Sequence, residues 1–252
     1  MPSRLRPFSV ALVLIGGFLT AATDSAERVI YRNDFEGKLG STYPEWTSSK
    51  ITYSSGLLPP WSGSLDAPAV TNVDVTNKKR RILGEFGGPK LDWTARTRVQ
   101  QTITLNVNKI PRHSDAIISF DLIILRSWDG DSPNYGPDRF KVSVDGGPPL
   151  LAATFSNNPK LQSDKSYQSH PKPKSKPQAG AIAVQSLGST FFGDSIYHFD
   201  LKTTHKAETL RVDFKSDLYE GKGTEDEAWG LDNVKVIVKD RDLSSPSSKR
   251  IK

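Results

Sequence analysis

Oxygen-bearing side chains are concentrated in one segment near the middle of the chain. Asp129, Asp131, Asn134 and Asp138 follow one apolar stretch and precede another. Calcium takes hard oxygen ligands, and the spacing Asp-x-Asp-x-x-Asn is close to that of a calcium loop, although it lacks the EF-hand order. The segment therefore predicts a cation site that uses Asp129, Asp131 and Asp138. The alternative is a polar connection whose aspartates bond to their own backbone.

Aromatic side chains form the second group that could do chemistry, because several fall in loop-like segments. The apolar face of a sugar ring packs on an indole or phenol ring, and the sugar hydroxyls need polar partners nearby. A ligand-binding surface of this kind would use Tyr43, Trp46, Trp61, Arg126, Trp128 and Tyr135. The alternative is that these rings belong to the core or anchor loops, as most large aromatic side chains do.

The chain shows no catalytic constellation with the spacing of a known enzyme family. Glu225, Asp226 and Glu227 are adjacent in a Gly-containing loop, so their side chains would point apart rather than form the carboxylate pair of a glycoside hydrolase. The four histidines are dispersed, and no zinc-hydrolase, nucleophile-elbow or phosphate-loop motif occurs. We therefore expect a protein that is not an enzyme.

The elements that must position these side chains are β-strands. Apolar residues alternate with polar ones in runs of five to nine residues, which is the period of a strand with one wet face. These runs lie at 99–107, 117–125, 140–144, 197–201, 210–214 and 234–238. The run at 117–125 is apolar on both faces, which predicts a central strand. Since no amphipathic helix longer than two turns is evident, the pattern predicts an all-β fold, an antiparallel β-sandwich in a single domain.

The two ends of this strand-rich region carry a resemblance to a known group of proteins. The opening Asp34-Phe35-Glu36 and the closing segment 230–236, with sequence GLDNVKV, resemble the ends of secreted bacterial jelly-roll modules. Those modules are similar to carbohydrate-binding modules with a galactose-binding-like or a concanavalin/laminin-G-like sandwich. The resemblance implies a jelly-roll or concanavalin-like fold in which the first and last strands lie side by side.

The same resemblance implies a structural Ca²⁺ ion that ties the first strand to the last. Glu36 and Asp232 would be its ligands, with Asp34 nearby, and backbone carbonyls would complete the six to eight oxygens that calcium requires. The alternative is that these carboxylates are solvated turn or edge residues. The function implied is non-catalytic glycan binding or surface adhesion. A self-associating envelope protein and, last, a polysaccharide hydrolase or lyase are the alternatives.

The first residues predict export. Two arginines precede an apolar run that is too short to span a bilayer comfortably, and small residues follow it, as in a secretory signal peptide. We expect residues 1–22 to be removed, with cleavage possible as late as residue 26, and an uncleaved anchor is the alternative. The domain would then cover 27–238, followed by a disordered basic tail at 239–252. The absence of cysteine excludes disulfides and thiol chemistry.

Positive charge is the remaining feature of the composition. The formal net charge is +6, and lysines are concentrated in residues 159–177, a segment that we call the basic loop. A second basic run covers 78–81. For an exported chain without a nucleic-acid-binding module, we expect an anionic polysaccharide or lipid head groups as partners, not nucleic acid and not a membrane span after cleavage. The alternative is that these lysines form ordinary solvated strand edges.

Overall fold

A computed structural model describes residues 26–55, 62–67, 69–75, 80–88, 90, 97–188, 192–219 and 223–239. The predicted signal peptide, Trp61 and the tail beyond residue 239 lie outside these residues. The chain order of the elements is β1 (Glu27–Asn33), β2 (Trp46–Ser48), β3 (Ile51–Ser55), β4 (Ser62–Leu65), β5 (Asn72–Val75), β6 (Arg80–Phe86), β7 (Thr97–Asn108), β8 (Asp115–Arg126), β9 (Arg139–Val144), β10 (Leu151–Thr154), α1 (Leu161–Asp164), β11 (Ala183–Val184), β12 (Asp194–Thr204), β13 (Thr209–Leu218), a short 3₁₀ turn (Gly223–Glu225) and β14 (Glu227–Lys239).

The strands form two seven-stranded antiparallel sheets. The first sheet has the order β11-β12-β8-β14-β6-β5, with β1 also paired to β14, and the second has the order β10-β9-β13-β7-β3-β4, with β2 also paired to β7. The all-β antiparallel sandwich predicted from the sequence is confirmed. No helix in the described part of the chain is long and apolar enough to cross a bilayer.

The core lies between the two sheets, and it is formed by the inward-facing residues of each alternating strand. Phe120 of β8 meets Phe214 of β13 edge to face, with ring centroids 5.2 Å apart. Trp229 of β14 meets Phe140 of β9 in the same way at 5.0 Å. These four rings are buried and join one sheet to the other. Edge-to-face pairs of this kind add stabilisation beyond the burial of apolar area.

Strand β8 is central, as its apolar pattern predicts. It pairs with β12 on one side and with β14 on the other. One set of its side chains, which includes Phe120, enters the main core. The other set, Ile123 and Leu125, packs on the outer face of the first sheet in a smaller apolar cluster with Ile196 and Leu187. This second cluster explains why both faces of the strand are apolar.

The two ends of the strand-rich region are neighbours. β1 runs antiparallel to β14, and its register begins at Glu27 opposite Lys239 and ends at Asn33 opposite Val234. An ion pair of 2.7 Å joins the side chains of Glu27 and Lys239. The predicted adjacency of these ends is therefore observed, and backbone pairing is what holds them together.

Candidate functional site

The carboxylate of Asp232, a predicted calcium ligand, is held by an arginine. Its Oδ2 accepts hydrogen bonds from Nε and Nη2 of Arg80 at 2.9 and 2.7 Å, and its Oδ1 accepts one from the backbone N–H of Asn233. Burial raises the pKa of Asp232, although Arg80 acts in the opposite direction. Asp232 is thus the acceptor of a partly buried ion pair.

This ion pair belongs to a wider network on the outer face of the first sheet. Nη2 of Arg80 lies 3.7 Å from Oδ2 of Asp121. The same Asp121 accepts a hydrogen bond from the side chain of Asn233 at 2.8 Å, and its other oxygen lies 2.7 Å from Nδ1 of His198. The carboxylates of Asp121 and Asp232 therefore have their hydrogen-bonding partners within this network.

The other two predicted ligands are also engaged by the protein itself. Asp34 accepts the backbone N–H of Glu36, which makes it a turn residue. The Glu36 carboxylate accepts the backbone N–H of Arg81, and the Arg81 guanidinium donates to the carbonyl oxygens of Glu36 and Gly37. Arg80 and Arg81 thus contact residues that the resemblance names as calcium ligands. Arg80 neutralises Asp232, whereas the Arg81 guanidinium pairs with Asp74 rather than with Asp34 or Glu36. Among the described residues, the oxygens of Asp34, Glu36 and Asp232 do not form a group within 4.8 Å, and calcium at this set stays a prediction.

The alternative cation loop is assembled differently from its sequence order. Asp129 and Asp138 come together as predicted, but Asp131 is exposed and does not join them. Glu227, at the start of β14, completes the group instead, and one oxygen from each carboxylate lies within 4.8 Å of the others. We call these three residues the buried acid cluster. It is the only group of this kind among the described residues.

Hydrogen bonds from neighbouring residues hold the buried acid cluster in position. Oδ2 of Asp138 accepts the backbone N–H of Asp129 at 2.5 Å, and Oδ1 accepts that of Tyr219 at 3.1 Å. The side chain of Asn158 donates to Asp129. Burial and the neighbouring charge of Asp129 raise the pKa of Asp138 well above its ordinary value. Three hard-oxygen ligands in one place suit either a shared proton or a divalent cation, so calcium at this cluster stays a prediction. All three residues are buried, so a polysaccharide cannot reach their carboxylates.

Most of the predicted sugar-stacking residues have structural roles. Trp128 is fully buried, and its indole donates to the carbonyl of Ala228 at 3.0 Å. The Trp46 ring is buried against Phe214, and its indole donates to the Tyr31 hydroxyl at 2.7 Å. Trp128 cannot stack on a ligand, because none of its ring is exposed, and Trp46, which is 4% exposed, leaves only a small part of its ring at the surface. Burial was the alternative for these tryptophans, and it is what the structure shows.

The remaining predicted ligand-binding residues are separated from one another. The guanidinium of Arg126 is paired with the carboxylate of Glu85 at 2.7 Å. Tyr135 is exposed on the loop that follows β8, where its backbone N–H bonds to the Ser132 hydroxyl. Tyr43 is half-buried and packs edge-on against Phe35 at 5.2 Å. The expected aromatic platform therefore does not form as one surface among the described residues.

A polar groove of about 390 Å³ lies on the outer face of the second sheet, across β2, β7, β9 and β13. Strand register determines its composition, because directly paired residues point to the same face. Ser143, Asp213 and Thr104 form one row across the sheet, and Thr47 extends it onto β2. The charge of Asp213 is balanced by Arg211 of the same strand, whose Nε donates to Oδ1 at 2.9 Å, and Oδ1 also accepts the Thr104 hydroxyl at 2.7 Å.

The adjacent row brings two cations together. Lys141 of β9 is directly opposite Lys215 of β13, which in turn is opposite Thr102 of β7. Both lysines line the groove, and no carboxylate in the described part of the chain forms an ion pair with either. Like charges directly opposite one another on a sheet are destabilising. The pair therefore creates a positive field at an open, hydroxyl-lined surface.

Sequence reasoning did not identify the two lysines, although it placed both on the polar faces of their strands. The missing information was which strand pairs with which. Residues 141 and 215 are far apart in the chain, and only the pairing of β9 with β13 makes them neighbours. A second groove, which shares Thr47 and Ser48 with the first, continues past Tyr43.

Comparisons with known proteins give weak structural likeness alone. No protein-family model and no curated protein matches the chain. The mannan-recognising carbohydrate-binding module TmCBM27 has a TM-score of 0.44 at 10% identity, over 85% of this chain and 99% of its own. TmCBM61, solved with β-1,4-galactotriose, has a TM-score of 0.35 at 9% identity, over 82% of this chain and 99% of its own.

A Stig cyclase from Fischerella sp. TAU scores similarly, with a TM-score of 0.36 at 12% identity, over 86% of this chain and 100% of its own. These structures therefore include both carbohydrate-binding modules and an enzyme. Since none of the scores reaches 0.5, the likeness transfers neither a ligand nor an activity to this chain.

Proposed function

We propose that this protein is a non-catalytic glycan-binding module whose ligand carries negative charge. The observation that carries the proposal is the position of Lys141 directly opposite Lys215 on an open polar groove. A carboxylate or sulfate group between the two ammonium groups would relieve their repulsion and form charge-assisted hydrogen bonds. The ligand class is thus an acidic oligosaccharide.

The hydroxyl side chains around the lysines support a sugar as the carrier of the charge. Thr47, Ser48, Thr102 and Ser143 line the same groove, and each hydroxyl can both donate and accept a hydrogen bond. Sugar hydroxyls need partners of this dual kind. Because the second groove shares Thr47 and Ser48 with the first, a ligand of two or more sugar units has room to extend toward Tyr43.

Calorimetric titration with three oligosaccharides of equal length tests the proposal. One oligosaccharide would be built of uronic acids, one would be sulfated and one neutral. We expect an acidic ligand to bind, the neutral one to bind much more weakly, and the affinity for the acidic ligand to fall as salt is added. The double variant Lys141→Gln/Lys215→Gln should weaken binding about tenfold, from two solvent-screened charge contacts.

The matched control is Lys206→Gln, which removes an exposed lysine from the turn between β12 and β13. It should leave the affinity unchanged. Equal affinity for the acidic and neutral ligands, or an unchanged affinity in the double variant, would contradict the proposal.

A further inference from the structure

The basic loop is folded onto the sandwich. Gln168 is fully buried at its centre, and its side chain makes five hydrogen bonds, one of them from the Tyr197 hydroxyl to Oε1 at 3.3 Å. Its Oε1 accepts the backbone N–H groups of Ser156 and Gln178, and its Nε2 donates to the carbonyl oxygens of His170 and Ala179. The segment is therefore a preordered surface, and a partner that binds it does not have to order the backbone first.

Lysines cover the outside of this ordered segment. Lys172, Lys174 and Lys176 are all exposed, whereas Ser175 between them is buried and donates its hydroxyl to the carbonyl of Lys172 at 2.7 Å. None of the three forms an ion pair with a described carboxylate. The one acid of the loop, Asp164, is engaged by the side chains of Asn158 and Ser163.

Two aliphatic side chains project from the chain directly after the lysines. Successive turns, closed by hydrogen bonds from Ala179 to Lys176 and from Ala181 to Gln178, lead into β11 at the edge of the first sheet. Ile182 is 63% exposed and Val184 is 48% exposed, whereas Ala183 between them packs against the outer apolar cluster. Alternation along this short edge strand thus directs Ile182 and Val184 to solvent.

We infer that Lys172, Lys174, Lys176, Ile182 and Val184 form a docking surface for an anionic lipid bilayer. Lysines near a bilayer are attracted to acidic head groups, while exposed aliphatic side chains gain by entering the boundary between head groups and acyl chains. A polysaccharide would give Ile182 and Val184 little apolar surface to bury against. A second copy of this chain would bring two sets of lysines face to face, which is unfavourable.

Cosedimentation with lipid vesicles tests the inference on the purified chain. One set of vesicles is pure phosphatidylcholine and the other contains about one third phosphatidylglycerol. We expect binding to the anionic vesicles and little to the neutral ones. Lys172→Gln/Lys174→Gln/Lys176→Gln should lower the partition coefficient about 100-fold, at about fivefold for each lysine, and Ile182→Ser/Val184→Ser should lower it about tenfold.

The matched control removes three positive charges elsewhere, as Lys141→Gln/Lys206→Gln/Lys215→Gln. It should retain most of the vesicle binding, while losing affinity for the acidic oligosaccharide, so the two proposals are separated. Unchanged far-ultraviolet circular dichroism shows that each variant is folded. The inference is overturned if the parent does not bind anionic vesicles or if the control loses as much binding as the lysine variant. It is also overturned if sedimentation shows that the parent is a dimer which Ile182→Ser/Val184→Ser dissociates.

Discussion

The outer faces of the two sheets both carry charged side chains, but they balance charge in different ways. On the first sheet, Arg80 bonds to Asp232 and approaches Asp121, and neighbouring polar side chains satisfy the remaining carboxylate oxygens. On the second sheet, Lys141 is opposite Lys215 with no acid paired to either among the described residues. On the outer face of the first sheet, which we call the compensated face, positive and negative side chains pair with each other. The outer face of the second sheet, which we call the surplus-charge face, carries positive charge that no described carboxylate balances.

The difference separates charges that stabilise the fold from charges that are available to a partner. A partly buried ion pair is costly to break, because removal of one member leaves the other desolvated and uncompensated. Two like charges that lie directly opposite one another on a sheet can be removed with little loss, because the fold gains nothing from them. Substitutions on the two faces should therefore shift the free energy of unfolding in opposite directions.

The largest expected effect is on the compensated face. Arg80→Met keeps the apolar stem but leaves the carboxylate of Asp232 without its charged donor, which should cost about 2 kcal/mol in the free energy of unfolding. Urea denaturation measures this loss. The control is Arg211→Met, because Arg211 also pairs with an aspartate at 2.9 Å but is 57% exposed. It should cost no more than about 0.5 kcal/mol. Equal losses in the two variants would refute the distinction between the faces.

The buried acid cluster provides a third case, in which like charges are buried. In Glu227→Gln, the amide can donate to Asp138 without a shared proton and no negative charge can form at position 227, so we expect a gain of about 1 kcal/mol at neutral pH. Because burial raises the pKa of Asp138, the folded state holds a proton that the unfolded state releases above its ordinary pKa. Stability therefore falls as pH rises from that ordinary value toward the raised one.

Thermal melts from acid to neutral pH in the presence of a chelator measure this effect. The gain from Glu227→Gln should be absent at acid pH and should grow toward neutrality. Glu225→Gln, on the exposed turn two residues earlier, removes only a solvent-screened ion pair with Lys90 and should show no gain at neutral pH. If calcium raises the melting temperature of the parent and Glu227→Gln abolishes that rise, the cluster holds a cation rather than a shared proton.

The smallest expected effect is on the surplus-charge face. Lys141→Gln/Lys215→Gln relieves the cross-strand repulsion and should raise the free energy of unfolding by about 0.2–1 kcal/mol at low salt. The gain should shrink when salt screens the two charges. Urea denaturation at two ionic strengths gives this comparison. A loss of stability in the double variant would show that the lysines support the fold and would weaken their assignment to a ligand.

Local pattern was sufficient for the long strands, whereas the meeting of the chain ends was implied by the resemblance of segments 34–36 and 230–236. The alternation at 210–214 and at 234–238 specifies which side chains enter the core, and both runs form long strands, β13 and β14. Pairings between distant segments could not be predicted in this way. Glu227 joins Asp129 and Asp138, and Lys141 meets Lys215, only because particular strands are neighbours.

The burial of individual side chains was the second property that could not be predicted from the sequence. A tryptophan in a polar segment is equally compatible with a binding surface and with a loop anchor, and for Trp128 the structure shows an anchor. The basic loop is a similar case. Its lysines and prolines predict an extended, exposed segment, whereas one buried side chain, that of Gln168, folds it against the sandwich.

The position of β14 has a consequence for how the molecule acquires its structure. β14 is the last strand along the described chain, yet it lies in the interior of the first sheet, paired with β8 on one side and with β6 and β1 on the other. During synthesis, the edges of these three strands that pair with β14 lack their backbone hydrogen bonds until β14 has been made. Nascent chains that stop before residue 227 would thus expose ready-made sites for aggregation. Because the decisive contacts join residues far apart in sequence, closure of the sandwich is expected to be slow and to occur late.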